Sequence, residues 1–420
     1  MFCAHLIVSL QPTNATNKSV MLRNELKIMA AALMVVLANM LAIHAQAKNK
    51  HDLGKPFGWA TCASLDGGCF NLCGGEGGQS VTLVSDGSDM GAAIIKALKT
   101  YDIVILDGRN GPFTLNQAVT LSKQQNKSLI GINGATLRTA FKVTEDIKKK
   151  LDAAEVKKRS TQGNGGTLSN GLPVREEMEF CVRQFLIDYL NDAKEEFRHS
   201  GLLRLAGCDN IIIRNLRFEG PGSIDVSGDD LLTASATTHL WVDHCDFLDG
   251  MDANFDINSR SDFITVSWCT FSYSDLAYIH MNTNLVGASD NPSQGVDNLN
   301  VTFANCIWGK GCDQRMPMAR FGTIHVLNCL YDCAGNTAAA NARKECEMLL
   351  EGCYFMPGVK NPFRQKDAKA WNLKNNFFSD SFKADEQGQV KIPYKYKCMK
   401  AEKVPEVLRG EGGAGTFPSK

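Results

Sequence analysis

A repeat of short apolar segments constrains this chain more than any other feature. From about residue 127 to residue 378, segments rich in Val, Ile, Leu and aromatic residues recur. Aligned at Leu216, Cys245, Cys269, Cys306, Cys329, Cys353 and Asn376, they are spaced by 29, 24, 37, 23, 24 and 23 residues. A period of roughly 20 to 30 residues without long helices indicates a solenoid. We therefore predict an all-β fold, a parallel β-helix with three short strands per coil.

The repeat also gives a meaning to the 15 cysteines. Five of them occupy one column of the predicted stack: Cys245, Cys269, Cys306, Cys329 and Cys353. Neighbouring coils lie about 4.8 Å apart, but parallel stacked side chains rarely reach the dihedral of about 90° that a disulfide needs. The column is therefore predicted to be a ladder of free thiols. Better candidates for bridges are Cys62, Cys69 and Cys73, and Cys312 with Cys333.

The N-terminal segment has the pattern of a secretory signal peptide. An apolar run of 16 residues, Ile28 to Ile43, follows basic residues and precedes Ala45-Gln46-Ala47. The run is shorter than the roughly 20 residues that cross a bilayer. We predict that residues 1–47 are a signal peptide, with Met21 as an alternative start. The mature chain is then secreted or periplasmic and does not span a membrane.

A second segment interrupts the repeat. Residues 141–200 carry 22 charged side chains in 60, and their apolar residues follow a helical rather than an alternating period. We predict a charged, mostly helical insertion in a β-helix domain of residues 48–420. A partner-binding subdomain is the alternative interpretation.

Acidic residues near the middle of the repeat are candidate metal ligands. Lys and Arg together number 45, as do Asp and Glu, so net charge gives no reason to expect nucleic acid as a partner. Asp230, Asp252 and Asp256 fall on neighbouring coils, where carboxylates can converge on a hard cation such as Ca²⁺. Aspartates that only stabilise turns are the alternative. In a straight strand Asp252 and Asp256 would lie about 13 Å apart, so a turn is expected between them.

Two arginines form a second candidate cluster. Arg315 and Arg320 lie one or two coils beyond the aspartates, and guanidinium groups bind carboxylates of an acidic sugar polymer well. A loop held by salt bridges is the alternative. His244 and His325 lie within apolar strands and are predicted to be hydrogen-bonded structural residues, because neither has the context of a nucleophile.

At these residues the chain resembles the pectate lyases of polysaccharide lyase family 1. The family's Trp-Ile/Val-Asp-His segment is matched by Trp241-Val242-Asp243-His244. Its calcium aspartates are matched by Asp230, Asp252 and Asp256, and its Arg-x-Pro-x-x-Arg-x-Gly-x-x-His run is matched from Arg315 to His325. One departure is Asn282, which stands where the family has a lysine.

The resemblance implies a right-handed parallel β-helix and β-elimination of polygalacturonate. In this interpretation Asp230, Asp252 and Asp256 hold Ca²⁺, Arg315 takes the C5 proton as general base, and Arg320 binds a substrate carboxylate. Because a free arginine has a pKa above about 12, such a base implies an alkaline optimum. A monomer is expected. Two alternatives are a pectin lyase acting on methylated substrate without calcium, and a non-catalytic β-solenoid that binds acidic polysaccharide.

Overall fold

The computed structural model describes residues 53–142, 200–223, 229–277, 280–296 and 298–417, all within the compact unit Leu53–Lys420. The predicted signal peptide lies outside the described residues, as does the predicted insertion except for residues 141, 142 and 200. No helix among these described ranges is long and apolar enough to cross a membrane.

The described chain forms 27 strands in three parallel sheets, numbered here in chain order. Sheet 1 contains β4 (Val119–Ser122), β7 (Leu203–Ala206), β10 (Leu232–Ser235), β13 (Phe255–Asn258), β16 (Leu285–Val286), β19 (Met318–Ala319), β22 (Ala340–Ala342) and β25 (Phe363–Gln365). Sheet 2 contains β1 (Ser80–Val84), β2 (Ile103–Asp107), β5 (Gln125–Ile132), β8 (Asp209–Arg214), β11 (Thr238–Asp243), β14 (Asp262–Ser267), β17 (Val301–Ala304), β20 (Thr323–Leu327), β23 (Glu347–Glu351) and β26 (Ala370–Lys374). Sheet 3 contains β3 (Phe113–Leu115), β6 (Thr136–Thr139), β9 (Arg217–Glu219), β12 (Asp246–Leu248), β15 (Thr270–Ser272), β18 (Ile307–Trp308), β21 (Leu330–Tyr331), β24 (Tyr354–Phe355) and β27 (Phe377–Phe378).

From β4 onward each coil contributes one strand to every sheet, whereas β1, β2 and β3 extend only sheets 2 and 3, and the strands of neighbouring coils pair in parallel. In sheet 1, for example, β10 pairs with β7 and β13, so that Leu232 lies between Leu203 and Phe255. The predicted right-handed parallel β-helix is therefore confirmed.

The corner between sheets 2 and 3 explains a column of the repeat. One residue there adopts a left-handed backbone in successive coils, with φ of 57° at Asn215, 48° at His244, 53° at Trp268, 56° at Asn305 and 53° at Asn328. Asparagine tolerates this conformation better than most residues, which accounts for its recurrence here. Because the next residue turns into the interior, the cysteine column lies directly after this corner.

The cysteine column is a ladder of free thiols, as predicted. The backbone N–H of Cys306 donates to the sulfur of Cys329 at 3.4 Å, and that of Cys329 donates to Cys353 at 3.4 Å. The N–H of Cys353 donates to Asn376 Oδ1 at 2.8 Å, so the amide continues the same column.

The cysteines expected to form bridges are also free: Cys62, Cys69, Cys73, Cys312 and Cys333. That expectation is therefore wrong for this structure, in which Cys312 instead donates to the carbonyl of Phe271 at 3.3 Å.

Aromatic side chains fill the interior of sheet 3. Ring centroids are separated by 4.8 Å between Phe218 and Phe247 and by 5.1 Å between Phe247 and Phe271. The stack continues through Trp308, Tyr331, Phe355 and Phe378 at 4.2 to 6.0 Å. Because one aromatic residue per coil meets the next, the stack stabilises the register of the coils.

Helices and terminal segments cover the β-helix. Helix α1 (Gly91–Thr100) buries Ile94 and Leu98 in the main core, and α2 (Val404–Arg409) packs Val404 and Leu408 against Leu330 of β21. Short 3-10 turns occur at Gly58–Thr61, Gly108–Asn110, Pro292–Gln294 and Ala401–Lys403. The first of these lies on the outer face of sheet 2, where the N–H of Trp59 donates to Thr302 Oγ1 at 3.1 Å.

Candidate functional site

Two of the predicted metal ligands, Asp230 and Asp256, are linked on sheet 1 through Thr233. Asp256 lies in β13 opposite Thr233 of β10, and the Thr233 hydroxyl donates to Asp230 Oδ2 at 3.0 Å. Asp256 Oδ1 accepts from the backbone N–H of Leu285 in the next coil, at 2.9 Å. Asp230 comes just before β10, so the sequence spacing brings both carboxylates to one part of the sheet.

Asp252 lies in a bend before β13, as the distance argument requires. The backbone bends at Asp252 and Asn254, and regular pairing of β13 begins only at Phe255. The amide of Asn254 supports the bend by accepting from the N–H of Gly250 at 3.0 Å. The side chain of Asp252 is 37% exposed, with Oδ1 2.9 Å from His280 Nε2.

The charges of this cluster are poorly compensated. Burial, together with the neighbouring Asp256 and Asp252 carboxylates, holds the pKa of Asp230 well above its ordinary value of 3.8. Burial also raises the pKa of Asp256 from 3.8 to about 7, and the Asp252 carboxylate adds to this effect. Asp230 Oδ1 is buried without a hydrogen-bond partner in the described part of the chain. Such a site stabilises a bound cation.

The donor set suits calcium. Ca²⁺ takes oxygen ligands, carboxylates above all, and accepts variable geometry. The unpartnered oxygen of Asp230 and the raised pKa of Asp256 both fit a carboxylate group whose counter-ion is a metal. Within the described ranges, no three His, Cys, Asp or Glu side chains lie close enough together to hold a metal ion between them.

Arg315 lies just before β19, two coils beyond Asp256 of β13. Its backbone is left-handed, with φ of 62°, and its carbonyl accepts from the N–H of Asn284 at 2.7 Å. The Arg315 guanidinium lies near enough to Asp256 to oppose the increase in the pKa of that carboxyl. The structure therefore brings this predicted site residue close to Asp256.

Arg320 is already bound by a carboxylate of the chain itself. Its Nε donates to Asp290 Oδ1 at 2.5 Å and its Nη1 donates to the carbonyl of Gly287 at 2.8 Å. The arginine side chain is only 13% exposed. The alternative of a loop held by salt bridges is therefore correct for Arg320. A substrate carboxylate would have to displace Asp290 from this arginine.

His280 is a site residue that the sequence reasoning missed. Its Nε2 lies 2.9 Å from Asp252 Oδ1 and 2.7 Å from Nδ2 of Asn282, the residue at the family's lysine position. The available signal was a histidine two residues before that departure. The imidazole of His280 therefore contacts both Asp252 and Asn282.

The two histidines predicted to be structural are hydrogen-bonded. His244 Nδ1 lies 2.6 Å from Asp243 Oδ2, and that carboxylate also accepts from Arg214 Nε at 2.9 Å. His325 Nδ1 lies 2.8 Å from the Tyr394 hydroxyl, and burial lowers the pKa of His325 from 6.5 to about 3. This prediction is confirmed.

The fold and site define a parallel β-helix protein with acidic side chains and an arginine grouped on sheet 1. A family model described as pectate lyase matches residues 174–415, which is more than half of the chain. The chain therefore belongs to the pectate lyase family.

Individual relatives match parts of the chain. A pectate trisaccharide-lyase of Thermotoga sp. (strain RQ2) is 40% identical over 149 residues, or 34% of this chain and 38% of the relative. Pectate lyase A of Aspergillus niger is 30% identical over 213 residues, or 49% of this chain and 62% of the relative. The chain thus matches less than two thirds of the length of these relatives.

Solved structures share the fold. A pectate lyase from Bacillus sp. N165 in complex with trigalacturonate has a TM-score of 0.55 at 18% identity, covering 86% of this chain and 99% of its own. Pectate lyase C from Erwinia chrysanthemi, determined with Ca²⁺, has a TM-score of 0.52 at 16% identity, covering 86% and 96%. At such low identity these similarities establish the fold alone.

Proposed function

We propose that this protein is a secreted or periplasmic, calcium-dependent pectate lyase that cleaves α-1,4-polygalacturonate by β-elimination as a monomer. The observation that carries the proposal is the grouping of Arg315 with the buried, mutually repelling carboxylates of Asp230 and Asp256. Membership of the pectate lyase family supports it.

Asp230, Asp252 and Asp256 are the proposed calcium ligands. When bound, Ca²⁺ would act as a Lewis acid on the uronate carboxylate and make the C5 proton more acidic. The three side chains would orient the sugar through that ion. The hydrogen bonds from Thr233 to Asp230 and from Leu285 to Asp256 hold two of the carboxylates in place for this role.

Arg315 is the proposed general base. In its neutral form, which alkaline pH favours, it would accept the C5 proton; the electron pair of the broken C–H bond forms the C4–C5 double bond, and the C4–O bond breaks. The leaving oxygen takes a proton from solvent, which leaves an unsaturated uronate on one product. The proximity of the Arg315 guanidinium to Asp256 supports this role, because β-elimination needs a base beside the bound carboxylate.

Arg320 is proposed to bind a substrate carboxylate, which would replace Asp290 as its partner.

A pectin lyase that acts without calcium is the less favoured alternative, since all three aspartates are present. A non-catalytic β-solenoid that binds acidic polysaccharide is the other alternative. Two observations favour it: Arg320 is already paired with Asp290, and Asn282 replaces the family lysine.

One assay separates the three functions. The purified chain is mixed with polygalacturonate or with highly methylated pectin, and the ultraviolet absorbance of the unsaturated product is followed with and without a calcium chelator. The proposal predicts product from polygalacturonate that disappears with chelator. Chelator-insensitive cleavage of methylated pectin would indicate the pectin lyase, and retained binding without product would indicate the non-catalytic protein.

A further inference from the structure

A cavity of about 340 Å³ lies on the outer face of sheet 2, apart from the site just described. Phe321, the residue after Arg320, lines it, whereas the proposed metal ligands and the two site arginines do not. Thr323, at the start of β20, forms part of the same wall. The turn from β19 to β20 therefore separates the two sites.

Apolar side chains form the rim of this cavity. Leu65 is 47% exposed and Val296 is 40% exposed, two of the few large hydrophobic residues that are exposed in the described chain. Phe321 is only 1% exposed and lies deeper in the wall. The cavity thus offers a ligand an apolar surface.

A buried donor without a partner also lines the cavity. Trp59 is 2% exposed, yet its indole Nε1 has no hydrogen-bond acceptor within the described chain. An unpaired buried N–H is unfavourable by about 1 to 3 kcal/mol, so such groups usually meet a ligand or a water molecule. A hydroxyl oxygen in the cavity would satisfy this donor.

The charged residues of the cavity wall are balanced in number. Two carboxylates, Glu345 and Glu347, face two ammonium groups, Lys369 and Lys391. Glu347 is paired with Lys369 at 2.6 Å, and Lys391 has no ion-pair partner in the described residues. A balanced wall favours a neutral ligand with several hydroxyls over a polyanion.

We propose that this cavity is a second carbohydrate site that binds one neutral sugar unit. A pyranose has a C–H face that packs on the exposed side chains of Leu65 and Val296, and hydroxyls that accept from Trp59 and donate to the glutamates. The volume lies within the range of small-molecule sites, which starts at about 300 Å³. The site is independent of the proposed lyase activity.

The test uses the indole N–H signals in nuclear magnetic resonance of protein labelled with ¹⁵N-tryptophan. Trp59→Phe identifies the Trp59 signal, and the protein is titrated separately with galactose and with galacturonate. Galactose is expected to shift the Trp59 signal saturably, and galacturonate to need at least a tenfold higher concentration. Trp371→Phe identifies the control signal, since the Trp371 indole already donates to the carbonyl of Asp385 at 2.5 Å; it should not shift.

A variant that fills the cavity completes the test. Val296→Trp places a ring at an exposed rim position, so the melting temperature and the rate on polygalacturonate should stay at the wild-type values. Affinity for galactose should fall at least tenfold. The proposal is overturned if galactose leaves the Trp59 signal unchanged, if galacturonate binds equally well, or if the filled variant binds galactose like the wild type.

Discussion

At the scale of single residues, Asp256 lies under opposing influences. Burial and the Asp252 carboxylate raise its pKa, whereas the Arg315 guanidinium and the N–H of Leu285 lower it, with a net value of about 7. A carboxyl whose pKa is raised on folding destabilises the protein when it ionises. The calcium-free site is therefore under electrostatic strain, which a cation would relieve.

The first prediction concerns pH and calcium-free stability. Because the pKa of Asp256 rises from 3.8 to about 7, the folded state binds more protons than the unfolded state between these values, and stability falls as pH increases through that window. Asp256→Asn removes this charge, so the calcium-free variant should be at least about 1 kcal/mol more stable than the wild type at pH 8. Urea unfolding at several pH values measures the effect.

The matched control is Asp332→Asn, because Asp332 is half-exposed and paired with Arg409 away from the site. Its pH dependence should follow the wild type. If the Asp256→Asn variant loses stability between pH 3.8 and about 7 as steeply as the wild type, titration of Asp256 does not cause the pH dependence.

The second prediction concerns the proposed base. Arg315→Lys keeps the positive charge beside Asp256 but replaces the guanidinium with an ammonium group of different reach and geometry. The initial rate on polygalacturonate should fall at least about 100-fold, with an unchanged circular dichroism spectrum. Arg138→Lys, in a surface pair with Glu219, is the control and should keep full activity. A variant of Arg315 with half the wild-type rate would exclude it as the base.

Motif spacing predicted that the aspartates and Arg315 lie near one another because they stand on or beside regular strands, where the repeat determines which residues are neighbours. It did not predict the pair of Arg320 with Asp290 or the contact of His280 with Asp252. Asp290 and His280 lie in longer loops, whose paths depend on tertiary contacts rather than on the repeat.

At the scale of elements, a left-handed residue at the corner between sheets 2 and 3 recurs in successive coils, one residue before the aligned column. Asn305 has φ of 56°, and its side-chain Oδ1 has no partner in the described residues, so backbone conformation is its main contribution. The sequence alignment found the column after this corner but not the left-handed backbone that precedes it, because asparagine, histidine and tryptophan all occur there.

The third prediction tests this corner with a matched pair. Asn305→Gly should change the free energy of unfolding by less than about 1 kcal/mol, because glycine adopts positive φ freely. Asn305→Val should cost about 1 to 2 kcal/mol more, because a β-branched residue is strained there. Chemical denaturation compares the two; equal stabilities would contradict the account of the corner.

The fourth prediction tests the thiol ladder. Cys329→Ala removes the acceptor of the Cys306 N–H and leaves a small void, so unfolding should become easier by about 1 to 3 kcal/mol. The control Cys69→Ala, at an exposed position, should change stability by less than about 0.5 kcal/mol. Labelling of the denatured protein without reductant should find the five ladder cysteines as free thiols, and a disulfide among them would contradict the ladder.

At the scale of the whole molecule, the fold follows from a repeat that cannot bury its apolar face one unit at a time. Stacked coils create one continuous interior, with a cysteine column and an aromatic column running through successive coils. The segment around Trp59, which carries no copy of the repeat, lies over sheet 2, and no pattern in the sequence predicted its position. The cavity beside it was therefore visible only in the structure.

The most direct test of the central claim is chelator-reversible production of unsaturated uronate from polygalacturonate by the purified protein. Absorbance should increase in the presence of Ca²⁺, stop when a chelator is added and resume when excess Ca²⁺ is restored, and Asp256→Asn should show less than about 1% of the wild-type rate. Activity that continues in chelator, or an active Asp256→Asn variant, would contradict a calcium-dependent pectate lyase built on these aspartates.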